Sequence, residues 1–276
     1  MWPIRLLFMY FAKKDVFDGL MSAKQSLIMT HKTKGIVLKA TKYGETSLVV
    51  TIFTELFGIQ TYMVNGVRTS KRPGARAILY QPSAILEMEV YHNEQKSMQR
   101  IKECTWSIVY QHILSHVVKN SIALYMVELL YKSLKQPEEN PTLFYFCEDA
   151  FSQLDAAEPQ IAANFPLYFT LHLADFFGFK INNDQPERID EENYFVDLVE
   201  GNFTDDQPAH QHFMQGENAM ITAELLRIMQ LHELEQLKLS SLKRRELLLK
   251  YQDYYALHIQ DFGQLKTLQV LHEVLS

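Results

Sequence analysis

Residues 33–76 read TKGIVLKATKYGETSLVVTIFTELFGIQTYMVNGVRTSKRPGAR, and this stretch decides how the chain begins to fold. The segments 36–38, 48–53 and 59–64 are short, apolar and rich in β-branched and aromatic side chains. Glycine-containing turns separate them at intervals of about ten residues, the pattern of antiparallel strands in a small barrel or sandwich. Within 59–64, alternate residues are expected to face opposite sides of the sheet.

A basic segment, residues 68–76, closes this stretch. It holds four cations and no acid, and Pro73 interrupts any regular structure in it. A cationic loop beside a small barrel suits a polyanion better than a packed core, although a solvated loop that only aids solubility is the alternative. Further lysines of the first strand and turn extend the basic surface, and two tyrosines are candidates for stacking on bases. The predicted nucleic-acid contacts are Lys34, Lys39, Lys42, Tyr43, Tyr62, Arg68, Lys71, Arg72 and Arg76.

The charges are divided unequally along the chain. Residues 29–103 carry eleven Lys or Arg and six Asp or Glu, a net charge of +5. Residues 104–276 carry twelve bases and twenty-five acids, a net charge of −13, and the whole chain has a net charge of −6. Only the first part therefore has the electrostatic character of a nucleic-acid-binding module.

Composition and motifs exclude several classes of protein. Of the 276 residues, 47% are hydrophobic and 22% are charged, which is typical of a globular protein with a substantial core. No stretch approaches about eighteen uninterrupted apolar residues, so no membrane-spanning helix is predicted. Two cysteines, Cys104 and Cys147, are too few for a disulfide framework, which favours a reducing, cytoplasmic compartment. The sequence has no Walker loop, nucleophile elbow or dinucleotide fingerprint, and we expect a protein that is not an enzyme.

The spacing of apolar residues changes after the predicted barrel. Residues 1–28 are interpreted as an extension upstream of the true start, and residues 29–103 as the nucleic-acid-binding domain. Residues 104–276 are predicted to form a helical domain, interrupted at 180–216 by an irregular insertion rich in Asn and Asp. The predicted helices cover residues 106–134, 142–155, 160–177, 222–234, 242–259 and 264–275.

The first third of the chain resembles a known family. GIVLKATKYGETSLVVTIFTELFG at 35–58, VNGVRTSKRPGA at 64–75 and LEMEVY at 86–91 are similar to the amino-terminal OB-fold of the RecO family. A weaker likeness continues in RELLLKY at 245–251 and GQLKT at 263–267, so the resemblance covers residues 30–275. It implies an α+β protein with a five-stranded OB-fold barrel followed by an α-helical bundle.

The resemblance also implies a function. Members of this family act in recombinational DNA repair: they bind single- and double-stranded DNA and anneal complementary strands. With RecR they help to load RecA recombinase on DNA coated by single-stranded DNA-binding protein. The implied location is the cytoplasm, at the nucleoid, without membrane association. Two alternatives stay open, namely an OB-fold that binds structured RNA and a non-catalytic scaffold whose barrel serves only protein contacts.

The insertion at 180–216 departs from the family pattern. In many members it holds four cysteines that bind zinc, whereas this stretch has none. His210 and His212 cannot complete a tetrahedral site without two further ligands. We therefore expect no metal and no cofactor, with side-chain packing in place of zinc. The expected packing residues are Phe195, Leu198, Phe203 and Phe213.

A partner site is expected on the helical domain. The resemblance implies contact with the C-terminal tail of single-stranded DNA-binding protein, which is acidic and apolar. Such a tail requires a hydrophobic groove with a cation near it. The candidate cations are Lys119, Lys132 and Lys135 on the first long predicted helix.

Overall fold

The structure is a computed structural model that describes residues 30–67, 77–184 and 193–275. Its first part contains five strands: β1 (Thr30–Tyr43), β2 (Ser47–Thr54), β3 (Gly58–Val64), β4 (Ile85–Tyr91) and β5 (Gln99–Trp106). They close into a barrel in the order β1-β2-β3-β5-β4, and only β3 and β5 run parallel. A 3-10 helix, Ala77–Tyr80, precedes β4. Five strands closed in this way form an OB-fold, so the predicted fold of the first domain is confirmed.

Alternating side chains separate the interior of the barrel from its outer face. Leu48, Val50 and Ile52 of β2 are buried, whereas Val49 and Thr51 between them are half-buried. The two-residue period of a strand requires this alternation. The outer side chains of β2 are consequently available for contacts outside the barrel.

Six helices follow the barrel within the described residues: α1 (Val117–Ser133), α2 (Pro141–Ala156), α3 (Pro159–Ala174), α4 (Glu217–Arg227), α5 (Ser241–His258) and α6 (Thr267–Val274). Proline is the first residue of α2 and of α3. An N–H group in the first turn of a helix has no intrahelical acceptor, so the missing N–H of proline costs no hydrogen bond there. A 3-10 helix, Asp175–Phe177, extends α3 to Gly178. The φ of Gly178 is 80°, a left-handed conformation that glycine adopts without steric strain. None of these described helices is long and apolar enough to cross a membrane.

Most of the predicted helices are confirmed. Those at 142–155, 160–177 and 242–259 coincide with α2, with α3 and its 3-10 extension, and with α5. The predicted helix at 222–234 is divided between α4 and a 3-10 helix, Leu231–Gln236. Apolar periodicity therefore located the helices of the bundle well, although it did not resolve where they end.

The predicted helix at 106–134 starts too early. β5 continues to Trp106, so the predicted domain boundary at residue 103 falls inside this strand. The chain then turns, Val109 is 77% exposed, and α1 begins only at Val117. Apolar residues in the connecting turn imitate the spacing of a helical face, which accounts for the error.

Asp155, near the end of α2, holds this connecting turn. Its carboxylate accepts hydrogen bonds from the amides of Gln111, His112 and Ile113, at N–O distances of 2.8, 2.8 and 2.7 Å. Burial alone would raise the pKa of Asp155, but these hydrogen bonds favour the charged form and together hold its pKa below the usual range. The turn therefore depends on a residue that lies far away in the sequence.

The insertion contains a three-stranded sheet in the order β7-β6-β8, formed by β6 (Phe195–Asp197), β7 (Asn202–Thr204) and β8 (Phe213–Gln215). Phe195, Leu198 and Phe203 are buried, and the ring of Phe213 lies 5.6 Å from that of Phe195. The predicted side-chain packing is confirmed. In the described part of the chain, no group of three or more His, Cys, Asp or Glu side chains could hold a metal ion.

The barrel packs closely on the helical domain. Phe53 belongs to the core shared with the bundle, and its ring lies 5.7 Å from that of Phe144 on α2. Gly58, at the start of β3, has a φ of 59°, and a Cβ there would lie 2.1 Å from the carbonyl oxygen of Glu138. These contacts cover the end of β2 and the start of β3, and the remainder of their outer face stays open.

Candidate nucleic-acid interface

The outer face of β2 and β3 forms the centre of the candidate interface. The strand register arranges its side chains in rows, because directly paired residues lie on the same side of a sheet. One row crosses four strands, a width of about 14 Å at a spacing of about 4.8 Å between strands. Within these rows of described residues, none is acidic, so a phosphate would meet no repulsion from them. The rows are Lys39–Thr51–Thr61, Thr41–Val49–Met63–Arg100, and Tyr43–Ser47.

The hairpin between β1 and β2 extends this outer face. Lys39, Lys42 and Tyr43 are exposed there, and 58% of Tyr43 is accessible to solvent. The Ser47 hydroxyl donates to the side-chain oxygen of Asn65 at 3.1 Å, which ties the hairpin to the end of β3. The structure thus brings together three of the residues that the sequence predicts as nucleic-acid contacts.

The loop between β4 and β5 borders the same face on the other side. Gln99 is 3% exposed, and its side chain is bonded to the backbone of this loop at three points. Its oxygen accepts from the amide of Asn93 at 3.0 Å, and its nitrogen donates to the carbonyls of Asn93 and Lys96 at 2.9 and 2.8 Å. One buried side chain therefore holds the loop in a single shape.

Two cavities flank this loop, each of about 690 Å³. We call the cavity farther from the bundle the outer cavity. Its lining includes the apolar, aromatic and basic side chains of Met63, Tyr91, His92, Lys96, Met98 and Arg100. The inner cavity reaches the bundle at Pro137, and its lining includes the carboxylates of Glu94 and Glu139. Lys96 lines both cavities, so they differ in charge through Arg100 at the outer one and the two carboxylates at the inner one.

Lys96 and Arg100 are not among the contacts predicted from the sequence. Both are exposed, and Arg100 lies beside Met63 in the row that crosses four strands. The alternation of Arg100 and Lys102 on one side of a strand was visible in the sequence. Their position next to β3 was not, because it depends on the parallel pairing of two strands that are far apart in the chain.

An aromatic cluster lies behind the β4–β5 loop. The rings of Phe57 and His92 are stacked, with centroids 3.9 Å apart, and His31 meets Phe57 edge-on at 5.3 Å. Burial, and after it the nearby His31, lower the pKa of His92, although Glu94 acts in the opposite direction. Burial therefore favours the neutral form of the His92 imidazole. The stacked rings of Phe57 and His92 support the loop.

The basic segment itself lies outside the described residues, together with its four predicted contacts Arg68, Lys71, Arg72 and Arg76. The chain enters this segment after Val67, which lines a cavity of about 210 Å³ with Asn65, Arg100 and Lys102. Lys102 is paired with Glu89 at 2.8 Å. Val67, the last described residue before the segment, therefore lines the same cavity as Arg100, the cation of the longest row.

The structure places two of the predicted contacts on the barrel away from the open outer face. Tyr62 is fully buried inside the barrel, where desolvation raises its pKa, so its ring cannot meet a base. Lys34 is held by Glu148 of α2 at 2.9 Å, and this hydrogen bond raises the pKa of the lysine. Lys34 points to the bundle because it lies on the same outer side of β1 as Ile36, which belongs to the core shared with the bundle.

Two of the three candidate partner cations are bonded within the helical domain. Lys119 is 8% exposed and donates to the carbonyl of Asp155 at 2.6 Å. Lys132 donates to the carbonyls of Phe262 and Gln264 at 2.8 and 2.7 Å. Both ammonium groups therefore hold the helical domain together. Lys135 is exposed, as the prediction requires.

Comparison with known proteins agrees with this architecture. Residues 29–110 match the family described as "Recombination protein O N terminal", and residues 114–269 match "Recombination protein O C terminal". The DNA repair protein RecO of Bacteroides fragilis is 33% identical over 247 residues, which cover 89% of this chain and 99% of that protein. The protein of the same name from Phocaeicola vulgatus is 32% identical over 248 residues, which cover 90% of this chain and 100% of that protein. This chain, with its OB-fold barrel and its helical domain, belongs to the RecO family.

Proposed function

We propose that this chain serves DNA repair and recombination as a non-catalytic mediator. It binds single- and double-stranded DNA on the barrel and anneals complementary strands. Together with RecR, it helps to load RecA recombinase on DNA coated by single-stranded DNA-binding protein. Membership of the RecO family supports this role, since the relatives described above are DNA repair proteins.

The observation that carries the DNA-binding part is the outer face of β2 and β3. Its paired rows contain hydroxyl and apolar side chains together with Lys39 and Arg100, and Lys42 lies beside them on β1. An OB-fold binds oligonucleotides on this face and on the loops beside it. The absence of acids from the described rows favours a polyanion over an apolar protein partner.

Annealing by such a surface requires no covalent chemistry. Two strands repel each other through their phosphates, and cations that contact those phosphates reduce the repulsion and release condensed counterions. Base pairing then joins the strands. The net charge of −13 on residues 104–276 keeps DNA on the barrel, because the helical domain repels it.

For the tail of single-stranded DNA-binding protein, we propose a groove on the helical domain. A cavity of about 480 Å³ lies between the ends of α1 and α5, and its lining includes Lys135, Phe176, Phe177 and Phe179 together with the carboxylates of Glu138 and Glu139. The rings suit the apolar part of the tail and Lys135 suits its acidic part, while the two carboxylates oppose its charge. Replacing Lys135 by glutamate should weaken binding of a tail peptide, whereas the same change at exposed Lys238 should not.

The function is tested by binding and by annealing. We expect unlabelled single-stranded DNA to displace a labelled oligonucleotide better than structured RNA of equal length. We also expect faster annealing of strands coated with intact single-stranded DNA-binding protein than of strands coated with a tail-deleted form. Failure to bind DNA, or a preference for structured RNA, would refute the proposal.

A further inference from the structure

The outer cavity has a chemistry that its neighbour lacks. Tyr91 and the methionines Met63 and Met98 give it apolar walls, and Lys96 and Arg100 supply positive charge. Within the described residues, none of the side chains that line it is a carboxylate. A partly apolar recess with two cations and no carboxylate in its described lining suits a ligand that is aromatic in one part and anionic in another.

We propose that the outer cavity receives one unstacked nucleobase of single-stranded DNA, with the adjoining phosphates on Lys96 and Arg100. This inference rests on the proposed function and adds a binding subsite to it. Every base has a π-face, so an aromatic ring and soft methionine side chains accept any of the four. The subsite therefore favours single strands without reading their sequence.

The volume and the geometry of the cavity agree with this occupant. About 690 Å³ lies within the range of small-molecule pockets and exceeds the space that one nucleotide needs. Bases in a duplex are paired and stacked, and entry into a recess would require one of them to leave the stack. A duplex can still use the cations on the rim, but it cannot fill the interior.

The wall of the cavity exists before DNA arrives. The three hydrogen bonds of buried Gln99 hold the backbone at Asn93 and Lys96, so the loop does not need to be ordered by its ligand. A preformed wall reduces the entropy that binding costs.

Charge selects the outer cavity over the inner one. Glu94 and Glu139 line the inner cavity and repel a phosphate. Arg100, which ends its row on β5, lines the outer cavity and attracts one. A strand that crosses the outer face from the hairpin is therefore drawn to the outer cavity and away from the bundle.

The test separates bases from phosphates. A 15-residue oligothymidylate and a strand of equal length made of abasic residues carry the same charge, and each is titrated against the full chain. From the usual worth of one stacked base, the unaltered protein should bind the thymidylate about 5- to 150-fold more tightly. The double variant Tyr91→Ala/Met98→Ala should lose most of this preference, and its affinity for duplex DNA should change less than about twofold. Met229→Ala, which removes an exposed methionine of the helical domain, is the control and should keep the preference.

Each other outcome has a defined meaning. Equal binding of the two strands by the unaltered protein overturns the subsite and leaves the proposed function intact. A preference that survives in the double variant overturns the location. Failure of the unaltered protein to bind either strand refutes the proposed function itself. If the double variant does not unfold cooperatively, Met98→Glu replaces it. That change puts a carboxylate at an exposed position of the rim and should reduce the preference for thymidylate.

Discussion

The replacement of Lys39, Lys42 and Arg100 by alanine should reduce the salt dependence of DNA binding by a calculable amount. The register places Arg100 on the fourth strand of its row and Lys39 on the first strand of the neighbouring row. The path along the sheet from one strand to the other through β2 and β3 is about 14 Å, so the cations can meet different phosphates. On single strands, each lost phosphate contact lowers the slope of log K against log salt by about 0.7, and three contacts lower it by about 2.1.

This slope converts into a measurable loss of affinity. Between 50 and 200 mM salt, the unaltered protein should lose roughly 18-fold more affinity for single-stranded DNA than the triple variant does. Fluorescence anisotropy with a labelled oligothymidylate, over a series of KCl concentrations, measures both slopes. The affinity of the variant should also be lower at every salt concentration in the series.

A matched control distinguishes local contacts from net charge. Arg227, Lys238 and Lys266 are exposed on the helical domain, and their replacement by alanine removes the same three charges. That variant should keep a slope within about 0.3 of the unaltered protein, because contacts and not distant charges release counterions. If both variants changed the slope equally, or neither did, the assignment of the outer face would be wrong.

Three further predictions concern the residues that hold the barrel and the bundle. Lys34→Met should leave the DNA salt slope unchanged and cost at most about 1 kcal/mol in urea unfolding, since its ion pair is partly exposed; a slope reduced by about 0.7 would restore it as a phosphate contact. Gly58→Ala should be less stable than Gly44→Ala by about 2 kcal/mol, because both residues have φ near +60° but only the first meets backbone of the bundle; equal losses would contradict the close approach. Asp155→Ala should cost about 2 kcal/mol at pH 7. Since the folded pKa of Asp155 lies below the unfolded value of about 3.9, its contribution is complete above that pH and is lost as the pH falls through the folded pKa. A stability difference that did not shrink in acid would contradict the role of its charge.

Local patterns in the sequence were sufficient for the elements of the fold. Strand runs separated by glycine turns predicted the barrel, and apolar spacing predicted α2 and α3. The start of α1 was misplaced because the turn before it is held by Asp155, whose partners lie more than forty residues earlier. A pattern of neighbouring residues contains no information about such a contact.

The candidate interface could be predicted only in part. Lys39, Lys42 and Tyr43 are exposed together on the hairpin, as expected. The alternation of side chains in β3 does not say which side of the strand faces the barrel interior. Closure of the barrel places the side that carries Tyr62 inside, so Tyr62 is buried. Arg100 joins the outer face only through the parallel pairing of β3 and β5.

The sequence by itself determined the kind of elements, their order and the division of charge between a basic first part and an acidic second part. These properties follow from the period of apolar side chains and from composition, which are local. Only the tertiary structure decided which cations are free. Lys34 and Lys132 are bonded to partners that are distant in the chain, whereas Lys96 and Arg100 border an open cavity. Strand register and domain packing set these neighbours, and both arise from contacts between residues that the sequence keeps far apart.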